Sequence, residues 1–140
     1  MKDKKDFTFK LVGMEVLQSS ITEIVVPNSE KINFNFDLNI EIKFNTEKEV
    51  VFVAPSVSVR INNEPKQIGF LKIALMFEIN SFNDYYNKET NEFILPKNIQ
   101  DVFNSVSIST LRGVMFNCFK GTILHNAILP VIDPTKFNGK

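Results

Sequence analysis

INFNFDLNIEIKF, residues Ile32 to Phe44, alternates apolar and polar side chains without interruption. Ile32, Phe34, Phe36, Leu38, Ile40, Ile42 and Phe44 share one face, and Asn33, Asn35, Asp37, Asn39, Glu41 and Lys43 share the other. A period of two sustained this long marks a strand with one buried face. At about 3.3 Å per residue the run reaches roughly 43 Å. A compact chain of this size has a radius of gyration of roughly 14 Å and is about 37 Å across. The strand is therefore as long as the whole expected monomer. It either bends or is covered in part by something outside the monomer.

Before it, Phe7 to Val26 reads as a first strand or a bent pair. Its apolar residues change parity between Phe9, Leu11 and Val12, Met14, Val16, which places a bulge near Gly13. Pro27-Asn28-Ser29 then breaks the chain. After the opening strand, Asn45-Thr46-Glu47-Lys48 forms a turn, and a third strand runs from about Glu49 to Ile61 with Val51, Val53, Val57, Val59 and Ile61 in step. Asn62-Asn63-Glu64-Pro65 has the composition of a hairpin turn. In the fourth strand, about Gln67 to Ile79, Leu71, Ile73, Leu75, Phe77 and Ile79 share one face, while Phe70, Ala74 and Met76 make the other partly apolar. Such a strand belongs inside a sheet or at a subunit contact. These segments read as an antiparallel meander of about four strands.

Residues 81 to 95 form a polar loop that carries Phe82, Tyr85, Tyr86 and Phe93. Pro96 suits the first turn of a helix, and Ile99, Val102, Phe103, Val106, Leu111, Val114, Met115, Cys118 and Phe119 follow helical spacing to about residue 120. Gly121 is a natural helix stop, and Pro130 and Pro134 keep the apolar tail 121 to 140 extended. Strands followed by a helix make a single α+β domain spanning residues 1 to 140.

The composition narrows the function classes. Sixteen basic residues balance sixteen acidic ones with no basic stripe, which argues against nucleic acid as a partner. Fourteen Phe accompany only two Tyr and no Trp; rings without a polar handle fill cores, interfaces or apolar binding surfaces. The one cysteine, Cys118, agrees with a reducing compartment, and neither a signal peptide nor a membrane span is legible, so the expected location is the cytoplasm. A single histidine and five glycines leave no His-based metal site and no phosphate loop, and no catalytic residues, metal or cofactor are expected. Cys118 shares a helical stripe with Leu111 and Met115, where a buried, inert thiol is expected. His125 lies in the apolar tail, in a structural or surface role. Asp37 and Glu41 sit on the polar face of a strand, and Asp101 sits near a helix start.

VSISTLRGVMFNCFKGTILHNAILPVIDPTKF, residues Val106 to Phe137, resembles the end of SecB-like proteins, the export-chaperone superfamily. The matching features are Leu111-Arg112 in a long helix, the Gly121-Thr122 stop, and Leu129-Pro130-Val131 in the extended stretch beyond it. FTFKLVGMEVLQSSITEIVVPNS, near the start, is similar in layout to the family's first strand. The resemblance implies a four-stranded antiparallel sheet with a long helix on one face. It also implies edge-to-edge dimers that pack through their helices into a tetramer. The function implied is that of an ATP-independent holdase for unfolded polypeptides, with protein export as its family setting. Two departures weigh against a translocase partner: the chain is neutral where export members are acidic, and it reaches Lys140 without the family's second helix and acidic tail. Gly113, next to Arg112, is unusual inside a helix and suits close packing.

On this reading Phe34, Phe36, Leu38 and Ile40, with Phe82, Tyr85, Tyr86 and Phe93 of the loop, are the expected client contacts. The alternative for the strand residues is core beneath the helix, and for the loop aromatics core and contact surface stand even. Arg112 is expected to act structurally, through an ion pair or a helix–helix contact at the tetramer interface. Two alternatives stand beside the general holdase. One is a SecB-like chaperone dedicated to a single partner such as an antitoxin. The other is an oligomeric structural protein whose Phe faces serve only self-association.

Overall fold

The computed structural model describes residues 8–22 and 32–131. The expected ends of the first strand at Phe7 and Val26, the Pro27-Asn28-Ser29 break and the last part of the tail lie outside the described residues. Four long strands, β1 (Phe9–Ile21), β2 (Phe34–Asn45), β3 (Val50–Ile61) and β4 (Gln67–Ile79), form one antiparallel sheet. A short helix α1 (Phe82–Tyr85), a two-stranded ribbon of β5 (Tyr86–Asn87) and β6 (Glu92–Phe93), and the long helix α2 (Lys97–Phe119) follow. The four-stranded antiparallel sheet and its C-terminal helix agree with the α+β reading.

The strand order is β1-β4-β3-β2. β2, β3 and β4 are a meander joined by tight turns, but β1 lies beyond β4 rather than beside β2, so the order is that of a Greek key. This is where the simple meander fails. Alternation tells which face of a strand is buried and nothing about which strand lies beside it. β4, with both faces partly apolar, is an inner strand as its pattern implied.

Val51, Val53, Val57, Val59 and Ile61 of β3 and Leu71, Ile73, Leu75, Phe77 and Ile79 of β4 are buried on the face that α2 covers. The helix answers with Ile99, Phe103, Ser107, Leu111, Met115 and Phe119, one residue in every four. Phe103 stacks on Phe77 with centroids 4.8 Å apart, and Phe9 of β1 meets both rings edge-on, at 5.0 Å from Phe103 and 5.5 Å from Phe77. Pro55, buried in the inner strand β3, has no N–H to give. The β3–β4 ladder pairs Val53 with Leu75 and resumes only at Ser56 with Lys72.

The first expected bulge is present: the β1–β4 register shifts between Leu11 and Gly13. A second shift, between Val16 and Gln18, restores the original parity. The tail is not simply extended. Gly121, at φ 79°, turns the chain out of α2, and Thr122 Oγ1 donates to the Phe119 carbonyl while accepting from Leu124 N–H. Turns at 123–126 lead into an extended stretch. Leu124, Ala127 and Leu129 are buried in the main core. Leu124 reaches Gly69 of β4, where a Cβ would collide with its Cδ1 atom. Among the described residues no helix is long and apolar enough to cross a membrane.

Candidate functional site: an apolar edge strand and its aromatic end

β2 is an edge strand whose alternation puts Phe34, Phe36, Leu38, Ile40, Ile42 and Phe44 on the helix side, opposite Ile61, Val59, Val57, Pro55, Val53 and Val51. All six are half-buried and pack against the core without being sealed into it. The reason is position. α2 lies over β3 and β4, and an edge strand receives the margin of that cover. Phe34 to Phe44 spans roughly 33 Å. The polar side chains go to the opposite face, where Asp37 pairs with Arg60 at 3.1 Å and Glu41 with Lys72 at 3.4 Å. These partly exposed pairs are worth at most about 1 kcal/mol each and leave the apolar row free of charge.

The hydrogen-bond parity of β2 follows from one contact. Asn62 N–H donates to the Asn33 carbonyl at 2.8 Å, within the register that pairs Phe34 with Ile61. Odd-numbered residues of β2 therefore face β3 with their main-chain groups. The even-numbered ones, which carry the apolar row, direct N–H and C=O outward. The same six residues thus offer side chains on one face and backbone groups along the edge. The β2 register runs from Phe34 to Asn45 without a bulge, unlike β1.

At the Phe44 end the row meets the aromatic loop. The Phe44 ring lies 5.2 Å from Phe93 and 5.7 Å from Tyr86; Phe82 stacks on Phe93 at 4.7 Å, and Tyr85 is edge-on to Phe93 at 6.4 Å. Tyr86 pairs with Phe93 across the β5–β6 ribbon, and Tyr86 OH donates to Asn91 Oδ1 at 2.7 Å. Asn91, at φ 54°, supplies the left-handed turn residue the ribbon needs. Asn83 Nδ2 donates to Glu49 Oε1 at 3.0 Å, fastening α1 to the β2–β3 turn.

The structure therefore brings Tyr85, Tyr86 and Phe93 together as half-buried rings beside β2. Phe82 is different: only 2% exposed, it is the floor of the cluster and presents no contact surface. Phe44 joins the two groups and was missed as a site residue, although it closes the alternation that opens the sequence reading. Arg112 makes no ion pair among the described residues. Its Nε donates to the Leu129 carbonyl at 2.8 Å and its Nη2 to the Pro130 carbonyl at 2.9 Å, fixing the tail against the helix. Leu111 is core, Gly121 and Thr122 turn the chain out of the helix, and Arg112 holds the returning chain at Pro130.

Cys118 is half-buried rather than sealed, because it flanks the buried stripe at Met115 and Phe119. His125 is exposed, 5.8 Å from the Phe116 ring. Among the described residues no three His, Cys, Asp or Glu side chains gather as a metal site.

No protein-family model matches the chain, and no curated protein matches its sequence. The solved structures do. The Mycobacterium tuberculosis SecB-like chaperone Rv1957, in complex with a ChAD peptide from the Rv1956 HigA1 antitoxin, superposes with a TM-score of 0.63 over 89% of this chain and 90% of that one, at 8% identity. The fold is SecB-like. At that identity the likeness concerns backbone architecture. The apolar edge, the aromatic ribbon and the Arg112 clasp are features of this chain's own residues.

Proposed function

We propose that this protein is an ATP-independent chaperone that holds extended apolar segments of other polypeptides along β2. The observation that carries the reading is the row from Phe34 to Phe44, half-buried, with outward main-chain groups on the same residues and an aromatic cluster at one end. An added strand would satisfy those groups and lay alternate side chains on the row. Burial is worth about 25 cal/mol per Å2 whatever the client's sequence, so such a surface grips without a code.

Leu11, Met14, Val16 and Leu17 of β1, exposed by 45% to 55%, give this strand the apolar edge for pairing with a second copy, and two such dimers would make a tetramer. The setting is cytoplasmic. Coupling to a translocase would need a surface other than the family's acidic one, since the chain is neutral. A dedicated-partner chaperone is the second reading, favoured by the antitoxin peptide bound to the solved neighbour.

The test is titration of the mass-determined oligomer into several chemically unfolded, aggregating proteins without ATP, followed by light scattering. Suppression near one oligomer per client supports the general holdase. Unchanged aggregation with every client sinks it and leaves the dedicated partner to be sought.

A further inference from the structure

The edge of β2 has a direction as well as an apolar row. Among the described residues, the main-chain groups of Phe34, Phe36, Leu38, Ile40, Ile42 and Phe44 that turn away from β3 carry no hydrogen bond, and the register is unbroken along them. A segment added there can run either way, and the two ways use different amides of the segment. In an antiparallel pair, residues directly opposite each other exchange both bonds, so the segment's row-facing residues give their own N–H groups to β2. In a parallel pair, each β2 residue is bonded by the two neighbours of the residue opposite it. The side chains of those neighbours lie on the other face.

Every ladder of the four-stranded sheet is antiparallel, and antiparallel pairing is the more stable per residue. A segment of another molecule carries no connection that would force the parallel alternative. An antiparallel segment begins where β2 ends, so its first residues come to Phe44. That end is the aromatic one. Phe44 stacks on Phe93 and tilts against Tyr86, whereas Phe34 makes no ring contact among the described residues. We infer that β2 takes its segments antiparallel, as period-two stretches of eleven residues, the span of Phe34 to Phe44, that begin with an aromatic side chain. This rests on the reading of β2 as the client strand and narrows its clients. Which apolar side chains fill the row stays free; their alternation and direction do not. An amphipathic helical sequence, apolar at every third or fourth residue, presents no such row when extended.

The probe is a peptide of that length with Phe first, Val at the other odd positions and Ser or Lys between. It carries fluorescein on one Lys and is read by anisotropy. The same residues in reverse order are expected to bind about tenfold more weakly, because direction and aromatic seat can no longer be met together. N-methylation of three Val amides is expected to weaken binding at least about tenfold, and of three intervening amides less than about twofold. The opposite N-methyl pattern, equal effects of the two patterns, or equal binding of the two orders overturns the proposal. So does binding of neither peptide by an oligomer that still suppresses aggregation, which leaves the holdase reading standing. Binding of neither together with unchanged aggregation removes both.

Discussion

Ser107 is the residue whose chemistry fits its surroundings least. It occupies the buried stripe of α2 between Phe103 and Leu111, and its hydroxyl oxygen has no hydrogen-bond partner among the described residues. A buried hydroxyl without a partner loses its hydration and gains nothing in return. Ser107→Ala is therefore expected to stabilise the fold by about 0.5–1 kcal/mol, with a small helix-propensity gain included. A lower denaturation midpoint would show instead that the hydroxyl is satisfied. Gly69 gives the opposite expectation. Its missing side chain admits Leu124, which is fully buried and has little room to yield. Gly69→Ala should cost about 1–2 kcal/mol in chemical denaturation, and Leu124→Ala in the same chain should recover part of it by clearing the contact, although alone it opens a cavity. Neither residue could be assigned from sequence. The sealing of Ser107 and the approach of Leu124 to Gly69 both depend on segments far apart in the chain.

At the scale of elements, the three strands of the meander were legible because each carries a clean period of two, and α2 because its apolar residues recur every three or four. The first bulge of β1 was legible from its parity change. The second was not, since Gln18, Ser19 and Ser20 are polar on both faces and carry no parity to read. The loop was legible as aromatic but not as a ribbon, and the depth of Phe82 depends on stacking with Phe93 rather than on any periodicity. The clasp between α2 and the tail belongs to this scale too. Arg112→Ala should loosen the tail and destabilise the protein by about 1–2 kcal/mol, given that one of its two carbonyl contacts is exposed. Hydrogen exchange at Ala127 and Leu129 should accelerate more than at β3. If exchange rises uniformly, Arg112 is not a local fastener.

For the whole molecule, the two sheet edges are built differently. β2 is regular and half-covered; β1 is bulged twice and exposes large aliphatic side chains on both faces. Bulges blunt an edge against indiscriminate pairing while a specific mate remains possible. A lysine at Val16 should therefore lower the solution mass measured by light scattering while leaving the circular dichroism spectrum of the subunit unchanged. An unchanged mass would move self-association to another surface. Phe34→Ser, by contrast, should leave the mass alone and weaken suppression of client aggregation several-fold; retention of full activity would take the β2 row out of client binding. The candidate site was half legible: the row was in the alternation, but whether it was core or surface depended on how far α2 reaches across the sheet.

The fit of Leu124 against Gly69 also bears on how the protein is made. Sheet and helix are synthesised first, and a chain emerging N-terminus first can begin to assemble them. The side chains that close the core over Gly69, Leu124 to Leu129, are translated after both. Until they arrive, a nascent molecule carries an unfilled aliphatic seat beside its Phe-rich sheet. A protein read as a guardian of unfinished chains is thus itself vulnerable to aggregation until residues 124 to 129 leave the ribosome.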